Sequence, residues 1–277
     1  MDCATVGLRP KRRDNPTFES LTVQPFADTE NWALALTLAA YFLGFLVRGA
    51  FGFGSNLPII ILTAWLLGPH HAVILVVLTG MMAQLYLFPQ GCRTANWPLA
   101  LKLTIGIYLG IALGTYAFVA LDPKVFAPVL GTLVIILVAM DRLNAIQHLS
   151  KFIDLTSRPV TLALSVTGGF VGTVSGGGGI YFLAPFLRHM CPTPTGFRST
   201  NLVISGIFLA GRTIFIAIAG LIDLTSTIEA LLLMPVAFAG GWAGGRWFSR
   251  LNSDKFFRLL SFLLVAGALS LIFRNFL

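Results

Sequence analysis

Charge is what this sequence has least of. Of its 277 residues, 11% are charged and 56% are hydrophobic, where a soluble domain carries roughly 25% charged residues. Mean hydropathy is +0.83. The deficit runs from residue 32 onward, so the chain reads as an all-α integral membrane protein with several spans. Carboxylates are scarcer still, with 11 Asp and Glu against 19 Lys and Arg, a net charge of +8. Asp141 and Glu229 sit at the ends of apolar segments, so no carboxylate proton relay is visible inside the membrane. A basic excess in such a chain marks cytoplasmic loops. No basic patch interleaved with aromatics points to nucleic acid.

Cysteine and histidine are nearly missing as well. Cys3, Cys92 and Cys191 lie too far apart for zinc-like spacing and read as unpaired thiols. His70 and His71 are neighbours, so on a helix they point different ways, and they lack cysteine or carboxylate partners. Neither a metal nor another cofactor is expected. No histidine or acid lies at a depth that would activate Ser175, so catalysis by a nucleophile is unsupported and the chain does not read as an enzyme.

What is present is a repeated pattern of apolar segments. Residues 1–31 are polar and proline-rich, with a basic cluster at Arg9, Lys11, Arg12 and Arg13, and read as a flexible tail. The first repeat occupies 32–141, with apolar segments at 32–50, 57–67, 72–88, 98–121 and 125–140. A polar loop covers 142–158. The second repeat occupies 159–277, with segments at 159–174, 180–187, 200–221, 228–248 and 256–273. The second segment of each half is short. At about 1.5 Å per residue, the 11 residues of 57–67 reach about 16 Å, roughly half of a hydrocarbon core about 30 Å thick. Both short segments therefore read as half-helices.

Each half-helix follows a glycine-rich break. Gly44-Phe-Leu-Val-Arg-Gly-Ala-Phe-Gly-Phe-Gly-Ser-Asn56 aligns without gaps on Gly168-Gly-Phe-Val-Gly-Thr-Val-Ser-Gly-Gly-Gly-Gly-Ile180. Each glycine costs a helix interior about 1 kcal/mol against alanine, so Gly176, Gly177, Gly178 and Gly179 predict an interruption. Peptide groups freed at membrane depth are tolerated only against protein or a wet cavity, and a helix that restarts there presents N–H groups that attract anions. The run lacks the Gly-Lys-Ser/Thr ending of a nucleotide loop. Gly106, Gly110 and Gly114, and the pairs Gly240/Gly244 and Gly241/Gly245, are spaced by four, which suits close helix packing and assigns them no role in a site.

The candidate substrate-binding residues follow from the breaks. Ser55, Asn56 and Ser175 open the half-helices. Arg212, in the middle of 200–221, reads as the cation for an anionic substrate, because an ionisable residue inside a span is functional by default, or else as the partner of an acid on another helix or a side chain that snorkels to an interface. Arg48, just before the first break, reads as a ligand contact or an interfacial anchor. Asn201 and Gln84, with Ser205 and Thr79, are polar positions in the following spans and candidates for the lining. An internal duplication with a broken short segment in each half is the pattern of many secondary transporters. If each half crosses an odd number of times, the repeats are inverted. The positive-inside tendency then puts the 142–158 loop, Arg93, Arg188, Arg198 and Arg246 in the cytoplasm and both termini outside.

The duplicated break, 168–185 above all, and the five-plus-five plan resemble the sulfite exporter TauE/SafE family, also called the toluene-sulfonate uptake permeases. The likeness covers about 32–273. The first copy, Gly52-Phe-Gly-Ser-Asn56, departs from a run of glycines. The resemblance implies inverted repeats in the bacterial inner membrane and carriage, more commonly export, of a small sulfur-containing anion such as sulfite or an organosulfonate. The expected partners are that anion and the lipid bilayer; a homo-oligomer is compatible with the sequence. An anion channel with the same lining is the alternative. An intramembrane enzyme or assembly factor would need a nucleophile–base pair or a metal cluster that the sequence lacks.

Overall fold

The computed structural model describes residues 25–26, 30–51, 55–143, 157–177, 179–247, 265 and 268–269. Outside them lie the basic cluster of the tail, Cys3, residues 52–54 of the first break, Gly178, most of the 142–158 loop and nearly all of the expected last segment at 256–273. Among the described residues all regular structure is helical. The helices are α1 (Asn31–Phe51), α2 (Asn56–Leu67), α3 (Pro69–Cys92), α4 (Trp97–Ala120), α5 (Pro123–Arg142), α6 (Arg158–Val174), α7 (Gly179–Met190), α8 (Pro194–Ile218) and α9 (Leu224–Trp247).

Local chemistry sets several of the helix starts. Asn96 caps α4 by accepting from the Leu99 N–H at 3.2 Å, and Thr193 caps α8 by accepting from Gly196 N–H at 3.2 Å. A proline stands in the first turn of α3, α4, α6 and α8, where its missing N–H costs nothing. Asp223 precedes α9 and its Oδ1 accepts from Ser226 N–H at 3.0 Å. The Ser226 hydroxyl is the main reason that the Asp223 carboxyl is held below the usual carboxylate range. The sign follows: this cap stabilises above the unfolded carboxyl pKa of about 3.9 and is lost as pH falls through the lower folded value. Asp223→Ala is expected to cost about 1 kcal/mol near neutrality. In detergent melts, the gap between parent and variant should close below about pH 4.

Among the described residues, five helices are long and apolar enough to cross a membrane: Asn31–Gly49, Pro69–Cys92, Trp97–Ala120, Thr195–Ile218 and Leu224–Gly244. Their outward faces carry large apolar side chains, including Leu85, Ile105, Tyr116, Ile218 and Trp242. That surface suits lipid and would be a liability in water. The second segments are short as the sequence predicts, each a helix of 12 residues, α2 and α7.

Packing is reciprocal. The most extensive contacts are α4 on α6 and α1 on α9, followed by α3 on α8. Further contacts join α1 to α2, α2 to α3, α6 to α7 and α7 to α8. The glycines spaced by four fill these seams: a Cβ on Gly110 would stand 2.2 Å from the Val166 carbonyl oxygen, and one on Gly240 would stand 2.4 Å from that of Phe42. Aligned glycines also do the same job twice. A Cβ on Gly44 would meet Ile59 Cγ1 at 2.4 Å, and one on Gly168 would meet Leu183 Cγ at 2.8 Å.

Two apolar clusters form the interior. One gathers Tyr41 and Phe45, Ile60, Leu75, Phe118 and Phe126; the other gathers Leu103, Ile107, Leu183, Phe186 and Ile204. The two adjacent histidines diverge at the start of α3. His70 Nε2 lies 3.2 Å from the Phe118 carbonyl, its ring packed against Phe118 and Phe126. His71 Nε2 pairs with Glu229 Oε2 at 2.6 Å, and Glu229 Oε1 accepts from Phe26 N–H at 2.9 Å. Cys92 and Cys191 are free thiols.

Candidate anion site at the paired helix breaks

The second break has the conformation that its glycines allow. Helix α6 ends at Val174, and Gly176 and Gly177 follow with φ of +76° and +136°. Both values lie in the left-handed region that side chains rarely enter. A side chain at Gly177 would also collide with Asn56, whose Nδ2 would be 2.3 Å from the new Cβ. The chain then restarts as α7 at Gly179.

The two breaks touch. Asn56 Nδ2 donates to the Gly176 carbonyl at 3.0 Å, and the Ser55 hydroxyl donates to Asn56 Oδ1 at 2.8 Å. A cavity of about 40 Å³ lies at this junction. Its lining joins the start of α2 (Ser55, Asn56), the second break and the start of α7 (Gly177, Gly179, Leu183), and α6 (Gly168, Gly169). Ile107 of α4 and Ile204, Ser205, Phe208 and Leu209 of α8 complete the wall, with Arg48 of α1. A helix start leaves four N–H groups without intrahelical acceptors, and two helices begin here.

Arg48 supplies the charge. It is 4% exposed, one guanidinium nitrogen donates to Gln84 Oε1, and its Nε has no hydrogen-bond partner. Gln84 is itself fixed, with Nε2 donating to the Leu202 carbonyl at 2.7 Å, so one amide ties α1, α3 and α8 together. Among the described residues the one ion pair is His71 with Glu229; Arg48 has no carboxylate. A buried cation without a counter-ion is costly.

The structure distributes the sequence candidates unevenly. Arg48, Ser55, Asn56, Gly177 and Gly179 line the cavity; Gln84 stands behind Arg48. The Ser175 hydroxyl donates to the Val171 carbonyl at 2.6 Å, and Gly176 meets Asn56 through its carbonyl, so both build the wall from behind. Asn201 is buried on α8 away from the lining. Gly178 lies outside the described residues. Arg212 is 1% exposed and does not line the cavity; its Nη1 and Nη2 donate to the carbonyls of Gly172 at 3.1 Å and Thr173 at 2.6 Å. Of the two buried arginines, Arg48 lines the cavity and Arg212 does not. Ile107 and Phe208 were not foreseen, because an apolar residue in an apolar span carries no signal of its own.

The sulfite exporter TauE/SafE family model matches residues 36–271. No curated protein and no solved structure matches the chain. With its spans, its duplicated break and a match over most of its length, the chain belongs to the sulfite exporter TauE/SafE family.

Proposed function

We propose that this protein carries a small sulfur-containing anion across the bacterial inner membrane by alternating access, with the cavity between the two breaks as its binding site. The observation that carries the reading is Arg48, a buried guanidinium at a cavity where two helices begin, without a carboxylate partner among the described residues. Membership of a family of sulfite exporters supplies the substrate class, and export is the direction we adopt. Inverted repeats are supported by the reciprocal packing of α4 on α6 and α1 on α9 and by the aligned glycines Gly44 and Gly168, each covered by the half-helix that follows it. With Arg93, Arg188, Arg198 and Arg246 on the cytoplasmic side, the arrangement obeys the positive-inside tendency.

Cavity size narrows the substrate. About 40 Å³ exceeds the roughly 10–15 Å³ that one water requires, but admits only a few non-hydrogen atoms. Sulfite fits that description and an aryl sulfonate does not. In proteoliposomes loaded with labelled sulfite, flux is expected to saturate. Unlabelled sulfite and methanesulfonate should compete at least about tenfold better than toluenesulfonate. Flux that rises linearly with concentration would replace the carrier with a channel. Equal competition by the aryl compound would remove the size argument.

A further inference from the structure

Arg212 has a role that its position in the middle of a span does not suggest. Its guanidinium covers two carbonyls in the last turn of α6, those of Gly172 and Thr173. They belong to the last four carbonyls of the helix, which together carry about half a negative charge; the Thr173 carbonyl also accepts from Gly176 N–H at 3.4 Å. One turn before Arg212 on α8, Phe208 covers the same spot: a Cβ on Gly172 would stand 2.9 Å from Phe208 Cζ. Residues four apart share a helix face, so α8 clamps the end of α6 with one apolar and one cationic rung.

That end borders the cavity. Gly168 and Gly169 of α6, and Gly177 just beyond it, line the space. An anion there faces the positive start of α7 and the negative end of α6 together, and the two fields oppose each other. We propose that Arg212 is a positioning residue that cancels the carbonyl end of α6, so that an anion in the cavity feels Arg48 and the helix starts without that repulsion. The inference rests on the transport reading above. It also separates the two buried arginines: Arg48 meets the substrate, and Arg212 prepares the wall. A half-charge acting across a few ångströms at an effective dielectric of about 20 changes anion binding by about tenfold.

The test measures sulfite KM and kcat in proteoliposomes, and the sulfite-dependent rise in melting temperature, for the parent, Arg48→Gln, Arg212→Gln and Arg212→Lys. The parent and Arg48→Gln decide the transport reading. A parent without saturable flux or sulfite-dependent stabilisation removes that reading and this inference with it. Given a working parent, Arg212→Gln is expected to raise KM about tenfold with kcat within about twofold. Arg212→Lys, which keeps the charge, should stay within about threefold of the parent in KM. An unchanged KM in Arg212→Gln would make the contact purely structural and overturn the proposal. Loss in both Arg212 variants as deep as in Arg48→Gln would overturn it in favour of direct ligation. Should Arg212→Gln fail to fold, Arg212→Lys decides alone: KM within threefold supports the proposal, and loss to the level of Arg48→Gln refutes it.

Discussion

Arg48→Gln is expected to lower kcat/KM for sulfite by two to three orders of magnitude while leaving the protein folded. The size follows from the environment. Removing one partner of a buried, hydrogen-bonded charge pair costs about 2–5 kcal/mol, and each 1.4 kcal/mol is a factor of ten. Folding should survive because Arg48 has no carboxylate to leave stranded among the described residues, and glutamine keeps an amide donor near Gln84. Melting in detergent without substrate should therefore be close to that of the parent, with the sulfite-dependent rise lost. Gln84→Glu makes the same point without touching the arginine. It keeps the shape of the side chain and gives Arg48 a carboxylate in place of an amide oxygen, and so supplies from within the protein the counter-ion that the substrate would have brought, while giving up the Nε2 bond to the Leu202 carbonyl. It is expected to weaken transport at least about tenfold. A Gln84→Glu protein that transports like the parent would show that the Arg48 charge is not what holds the anion.

The different surroundings of the two arginines show what the sequence made legible and what it did not. The spans, the half-helices and both helix restarts were readable because apolar length and glycine runs are local signals: the predicted restarts near Ser55 and Gly179 lie within a residue of α2 and α7 as they stand. The stripes of small residues were readable as packing for the same reason. Which arginine faces the cavity is not local. It depends on the azimuth of α1 and α8 about their axes and on where the end of α6 falls beside α8, both set by tertiary contacts. Arg212 looked isolated in its span, but a cation can be satisfied by backbone carbonyls, and a helix end that will need covering leaves no mark in the sequence of the helix that covers it. Arg48 looked marginal because it stood near the end of its apolar run, yet it lines the cavity.

A large stability effect belongs to the seam between α4 and α6. Gly110→Ala is expected to destabilise the protein by more than about 3 kcal/mol, and Gly110→Val to prevent its accumulation in the membrane. An added Cβ at Gly110 would stand 2.2 Å from the Val166 carbonyl oxygen, 2.7 Å from the Phe170 nitrogen and 2.9 Å from the Gly169 Cα. All three are backbone atoms, so no rotamer change can relieve the contact. Overpacking costs typically about 1–3 kcal/mol where side chains can yield, and here they cannot. Gly220→Ala is the control: its φ of +70° is strained for alanine, but no atom lies within 4 Å of the new methyl, so only a local cost on the order of 1 kcal/mol is expected. Melting temperature and the monodisperse fraction on size exclusion of detergent extracts compare them directly. A Gly110→Ala protein that melts with the Gly220→Ala control would mean that α4 and α6 can separate cheaply. The seam also reaches the cavity, because a Cβ on Gly169 would stand 2.4 Å from the carbonyl oxygen of Ile107, and both residues line it. Two helices held backbone to backbone have no soft layer between them, so α4 and α6 hold the Ile107 and Gly169 walls of the cavity in fixed relation.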